Sequence, residues 1–168
     1  RQLNYDPKKL YFKSKFNVVD VGFNSIFLKA LKDLDFLLKF IGKSSSTLKE
    51  YIHLNESKLI KLFNKKKMKF KNKDLKNNTS IEIPSITNFF MLFADLNNNL
   101  INRGLIKSLK KYYKDEKYFF PSISSKHKSF EEKRYWRGPV WVNCNWIIYQ
   151  GLKNKDKKFA EIIRKKTI

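Results

Sequence analysis

Between Arg134 and Leu152 the chain reads RYWRGPVWVNCNWIIYQGL, and its three tryptophans, Trp136, Trp141 and Trp146, all lie inside that stretch. Pro139 has no N–H to donate and a φ suited to a first helical turn, so the pattern predicts a helix running from Val140 towards Leu152. Gly138 lets the backbone turn into it. Val140, Trp141, Val142, Cys144, Trp146, Ile147, Ile148 and Tyr149 leave that helix no wet face, which is the mark of a helix buried on all sides. Asn143 and Asn145 are the exceptions, and a buried amide without partners costs about 1–3 kcal/mol, so both need something to bond. Trp136 and Arg137 stand just ahead of the proline. Taken singly, each tryptophan reads as core. Taken together, flat rings, a planar cation and inward amides on consecutive turns suit a sugar, whose C–H faces stack and whose hydroxyls need hydrogen bonds in pairs.

The rest of the composition limits what such a helix can belong to. A chain of 168 residues that is 42% hydrophobic and 15% aromatic can bury a real core and is not disordered. No apolar run is long enough to span a bilayer and Arg1 begins no signal-peptide pattern, so we expect no membrane partner and a cytoplasmic protein. Cys144 is the one cysteine. It falls in the tryptophan helix, where packing is a better use for it than catalysis, and no disulfide can form within the chain. The net charge of +22 suggests nucleic acid. Against that, the lysines are spread over nearly every predicted helix, with one short cluster at Lys65, Lys66 and Lys67. The abundance of Lys, Asn and Ile is what a coding bias would produce, so nucleic acid is disfavoured as the partner. His53 and His127 have no second ligand at metal spacing, and no glycine-rich phosphate loop is present, so no metal or cofactor is expected.

Along the chain, Arg1 to Lys15 reads as a loop with Asp6-Pro7 as its turn signal. Phe16 to Val21 is a short extended approach ending at Asp20, which suits a helix cap. The best-patterned helix follows: Phe23, Ile26, Phe27, Ala30, Leu31, Leu34, Leu37, Leu38 and Ile41 recur every three or four residues, Lys29–Asp33 and Asp35–Lys39 are spaced as charge pairs, and Gly42 ends it. Ser44 to Ser46 form a connection, and Thr47 with Glu50 is a capping box for a second helix through Leu48, Tyr51, Ile52, Leu59, Leu62 and Phe63. Met68–Phe70 and Ser80–Ile83 alternate around Asn77-Asn78 and suggest a small irregular β-hairpin. Pro84 and Ser85 open a buried third helix rich in phenylalanine, Asn97 to Asn99 break it, and a fourth runs from Leu100 to Tyr113. Tyr118 to Glu132 is a loop, and a last helix starts at Asp156. Helices linked in series by short connections make an all-α protein, either an α/α toroid or a plain bundle.

Two strings carry a resemblance to a known family. YWRGPVWVNCNWIIYQGL resembles the signature of glycoside hydrolases related to family 63 and mannosylglycerate hydrolase. Upstream, FNVVDVGFNSIFLKALKDLDFLLKFIG, Phe16 to Gly42, resembles the family's strand-like approach, Asp, Phe-Asn pair and helix. Pro121-Ser122 looks like the Pro-Ser that the family places before its tryptophan motif. The resemblance implies a partial (α/α)6 toroid with about half of its helices. It makes residues 1–168 a single segment, the central-to-C-terminal part of a glycosidase catalytic domain, truncated at both ends. It further implies hydrolysis of an α-linked glucosyl or mannosyl unit with inversion, which needs an acid and a base about 6.5–9.5 Å apart. The family's acid Asp lies upstream of the Asp-Phe-Asn segment and its base Glu beyond the helix after YWRGPVW, so both are expected outside this chain. Asp20, Glu82, Asp95, Glu131 and Glu132 sit in no matching catalytic motif. What the resemblance assigns here is binding of a saccharide substrate: Trp136 and Trp141 as subsite walls, Arg137 as a donor to hydroxyls or an acidic aglycone or else the partner of a carboxylate, Asn145 orienting groups from the helix, and Asp20 and Asn24 at the toroid mouth. A non-catalytic carbohydrate or protein interaction domain and a basic nucleic-acid binder are the alternative readings.

Overall fold

The computed structural model describes residues 6–116 and 119–167. The first five residues of the expected leading loop, and Tyr118, lie outside them. The chain is mostly helical with small sheets, and its helices are α1 (Pro7–Lys13), α2 (Val21–Phe40), α3 (Ser46–Ile60), α4 (Asn99–Asp115), α5 (Val142–Leu152) and α6 (Lys157–Thr167), with short links between α2 and α3 and between α5 and α6 and longer excursions on either side of α4. α2 packs on α3 and α5 on α6. Between these two hairpins lies a third pair, a 3-10 segment at Ile86–Leu92 followed by α4, and both α2 and α5 rest on the 3-10 segment.

Asp6-Pro7 starts a helix where a loop was expected. The Asp6 carboxylate accepts from the N–H groups of Lys8 and Lys9 at 2.9 and 3.2 Å, and Pro7 takes the first helical position, so a turn signal here doubles as an N-terminus. α2 begins and ends where the sequence places it. Asp20 caps it, and at the far end Gly42, at φ 70°, closes a Schellman turn in which Gly42 N–H donates to Lys39 C=O and Lys43 N–H to Leu38 C=O. The buried face of α2 is a correction. Val21, Ser25 and Leu28 are buried, whereas Phe23 is 73% and Phe40 81% exposed. An all-round apolar helix has more than one apolar stripe, and the one that closes on the 3-10 segment is the stripe with small residues: a Cβ on Gly22 would stand 2.7 Å from Thr87 Cβ. The charge pairs Lys29–Asp33 and Asp35–Lys39 both form, and Lys32 bridges to Glu56 of α3 at 3.1 Å.

The cap of α3 is Ser45, which accepts from Leu48 N–H at 3.2 Å, two residues ahead of the expected Thr47 box. The strand pairing also differs. β3 (Lys69–Phe70) pairs with β2 (Phe63–Asn64), while β4 (Asn72–Asp74) pairs with β5 (Thr79–Ile81) across the expected Asn77-Asn78 turn and with β1 (Val18–Val19) on its other side. Two consecutive hairpins stand where one was expected, because Met68, at φ 50°, turns the chain before Phe70. The expected third helix is the short 3-10 segment, and it is buried as its composition requires. The core joins Leu28, Phe70, Phe89, Leu105, Phe120, Ile148, Leu152 and Ile163. Among the described residues no helix is long and apolar enough to cross a membrane.

A close backbone approach in this core is at Gly151 of α5, where an added Cβ would lie 2.6 Å from Phe93 N and 2.7 Å from Leu92 C. Alanine gains about 1 kcal/mol of helix propensity over glycine. Two backbones that cannot move apart cheaply oppose it with an overpacking cost of about 1–3 kcal/mol. Gly151→Ala is therefore expected to lower the midpoint of urea unfolding; an unchanged or higher midpoint would show that α5 does not rest on residues 92–93 as described.

Candidate functional site

The tryptophan motif is held in place by a pair of crossing extended segments. Pro121 pairs with Val140, and Ser85 with Ile123. Ser122 N–H donates to Pro139 C=O at 3.0 Å and Ser122 Oγ accepts from Gly138 N–H at 3.0 Å. Pro139 is thus part of a β-bridge and does not start the helix, which begins at Val142 with Trp141 as its cap. The fixed φ of proline serves extended backbone as well as a first helical turn. Gly138 is required for space: a Cβ there would fall 2.0 Å from the carbonyl oxygen of Glu131.

This frame presents an aromatic cluster. Tyr135–Arg137 form one 3-10 turn. The rings of Trp136 and Trp141 lie 5.3 Å apart at 32°, and Tyr135 meets them edge-on at 5.7 and 4.8 Å. Trp141 Nε1 donates to Tyr135 C=O at 3.3 Å. Trp136 is 48% exposed, so the stacked pair opens to solvent and is not sealed in the interior. Arg137 forms an ion pair with Glu131, whose N–H donates back to Arg137 C=O at 2.7 Å, while the buried Arg137 Nε has no hydrogen-bond partner among the described residues.

α5 itself is not buried on all sides. Cys144, Asn145 and Ile148 face the core, whereas Val142, Asn143 and Trp146 are exposed, because only one side of the helix meets the 3-10 segment. Of the two amides, Asn145 is the inward one, with 1% exposure. Its Nδ2 donates to Trp141 C=O at 3.2 Å and its Oδ1 is buried without a partner among the described residues. Asn143 accepts from Cys144 N–H and faces outward.

Asp20 and Asn24 act on α2. Asp20 Oδ1 accepts from Phe23 N–H at 2.7 Å and Oδ2 from Asn72 Nδ2 at 3.1 Å, while Asn24 Nδ2 donates to Asp20 C=O at 2.7 Å. Among the described residues neither bonds the tryptophan turn directly. Gly22, between them, packs against Thr87, whose hydroxyl lies 3.0 Å from Ser85 Oγ, which donates to Ser122 C=O at 3.0 Å. Both segments of the resemblance therefore meet at the start of the 3-10 segment. Sequence reasoning missed Tyr135, Glu131, Ser85 and Thr87 at this site; Ser122 was signalled by the Pro-Ser pair alone.

Three of the other carboxylates are engaged by lysines. Glu82 pairs with Lys67 and Asp95 with Lys155, and each partner holds its carboxyl below the usual range. Burial pushes Asp156 up, but its bond to Lys110 and the Phe159 N–H bring it below the ordinary value. A group that must protonate a leaving oxygen needs the opposite shift.

The profile of the mannosylglycerate hydrolase MGH1-like glycoside hydrolase domain matches residues 1–167. The chain belongs to this glycoside hydrolase family. It is 33% identical over 162 residues to a mannosylglycerate hydrolase of Thermus thermophilus, covering 96% of this chain and 39% of that protein. It is 30% identical over 155 residues to mannosylglycerate hydrolase MGH1 of Selaginella moellendorffii, covering 91% of this chain and 32% of that protein. Among solved structures, a GH63 mannosylglycerate hydrolase of Thermus thermophilus in complex with glucose superposes with a TM-score of 0.91 at 30% identity, over 99% of this chain and 40% of that one. The chain thus spans well under half the length of these relatives. A neutral trehalase of Saccharomyces cerevisiae shares the fold at a TM-score of 0.70 and 16% identity, over 81% of this chain and 28% of that one. The serial helix pairs described above are accordingly part of the (α/α)6 toroid of this glycoside hydrolase family.

Within that toroid segment, burial pushes the Cys144 thiol up to about 11. At pH 8 about one thiol in a thousand would then be thiolate. A disulfide reagent is expected to react slowly with the native protein and promptly in denaturant; rapid stoichiometric reaction of the native protein would place Cys144 outside the core.

Proposed function

We propose that these residues form sugar-subsite walls of an inverting α-glycosidase that hydrolyses an α-linked mannosyl or glucosyl unit, of the mannosylglycerate or glucosylglycerate type. The observation that carries this reading is the open Trp136–Trp141 stack beside the partly exposed guanidinium of Arg137, on a frame that superposes on a relative solved with glucose. Another structure of the same GH63 enzyme is solved with Tris and D-glycerate.

In this mechanism the chain binds and orients. The face of a hexose ring stacks on the exposed indole of Trp136, the partly exposed guanidinium of Arg137 donates to a hydroxyl or to the carboxylate of the aglycone, and Asn145 orients groups from the helix behind them. Asp20 and Asn24 shape the mouth by fixing the first turn of α2. The proton-transferring pair, an acid on the leaving oxygen and a base on the attacking water about 6.5–9.5 Å apart, comes from residues other than these. The engagement of Glu82, Asp95 and Glu131 by lysine or arginine supports that division of labour.

In the full-length protein carrying these residues, Trp136→Ala is expected to lower kcat/KM on α-mannosylglycerate or α-glucosylglycerate by about ten- to a hundredfold. The first sugar released, followed by NMR, is expected to be the β-anomer. Release of the α-anomer would overturn inversion, and an unaltered kcat/KM would remove Trp136 from the subsite.

A further inference from the structure

We propose that Ser122 is the positioning residue of this site, the clip that sets where the Trp136–Arg137 turn stands relative to the sugar. The proposal rests on the glycosidase reading for its kinetic consequence, but its structural basis is independent of it.

Ser122 is 1% exposed. Its side-chain oxygen and its N–H go to one segment, Gly138 and Pro139, each at 3.0 Å. Its carbonyl goes to the other, accepting from Ile86 N–H at 3.2 Å and Ser85 Oγ at 3.0 Å. One residue therefore ties the end of the Trp136–Arg137 turn to the start of the buried 3-10 segment. Gly138 follows Arg137 directly and packs so closely on the Glu131 backbone that a Cβ has no room, so the Ser122 bond to its N–H bears on the turn at once. Removing Oγ would leave a buried N–H unpaired at the one residue that joins the turn to its anchor. The turn, and with it the ring of Trp136 and the guanidinium of Arg137, would then be free to shift. Ser122 touches no reacting atom; it acts through Gly138.

The kinetic signature separates this role from simple destabilisation. Groups that hold substrate and transition state alike raise KM and leave kcat alone when they are displaced, whereas loss of folded enzyme lowers the apparent kcat at unchanged KM. In the full-length protein, Ser122→Ala is expected to raise KM about tenfold with kcat within about twofold, and Ser122→Thr, which keeps the oxygen, to recover most of the loss. Ser85→Ala, which loosens the clip without disturbing the buried amide, is expected to shift KM in the same direction by less. Circular dichroism supplies a readout that needs no substrate. The tilted Trp136–Trp141 pair should give an exciton couplet, identified by its loss in Trp136→Phe, and Ser122→Ala should weaken it. An unchanged couplet together with a lower kcat at unchanged KM would overturn the proposal. If the wild-type protein cleaves no such glycoside, the glycosidase reading fails while the couplet still decides whether Ser122 positions the turn.

Discussion

The described structure depends on the burial of one short segment. Six of the seven residues of the 3-10 segment Ile86–Leu92 are buried, and α2 and α5 approach it from either side. Both approaches are made at glycine: Gly22 against Thr87 and Gly151 against the backbone of Leu92 and Phe93. The spacing between the two helices is thus set by side chains that are absent, and that spacing separates the Asp20 turn from the tryptophan turn. The Asn88 side chain helps to keep the segment tight, donating to Ile83 C=O at 2.7 Å just before it. Packing at the centre and geometry at the mouth are one constraint.

Much of this was legible in the sequence wherever a residue has one cheap use. Asp20 and Gly42 bound α2 because a carboxylate at an N-cap and a glycine at positive φ have few competitors for those positions. The choice among several apolar stripes on α2 was not legible, because it is made by Gly22 and Ser25, which carry no hydrophobic signal. Pro139 misled for a related reason: its φ fits a helix start and an extended bridge equally well, and the hydrogen bonds that Pro139 C=O and Gly138 N–H make with Ser122 decide between them. At the site, the string around Trp136 and Trp141 announced the aromatic pair. Glu131, six residues before its arginine in a stretch without periodicity, could not be found by spacing at all.

The large positive charge resolves into local arrangements of different kinds. Some lysines fasten elements together, as Lys32 does between α2 and Glu56 of α3, and Lys155 between the α5–α6 turn and Asp95. Others crowd, and Lys69 is pushed below its ordinary value by burial and by its neighbour Lys67. A consequence for the chemistry is that Glu82, Asp95 and Glu131 each have a basic partner close by.

The reciprocal link between Glu131 and Arg137 makes residues 131–137 a small closed ring, joined once through the side chains and once through the backbone. Such a ring is assembled before any ligand arrives. Little conformational entropy remains to be lost in ordering it, so more of the favourable contact energy is left to appear as affinity. In the subsite proposed above, a surface prepared in this way would behave as a template, and selectivity among hexoses would follow from which hydroxyls its fixed donors and acceptors can reach.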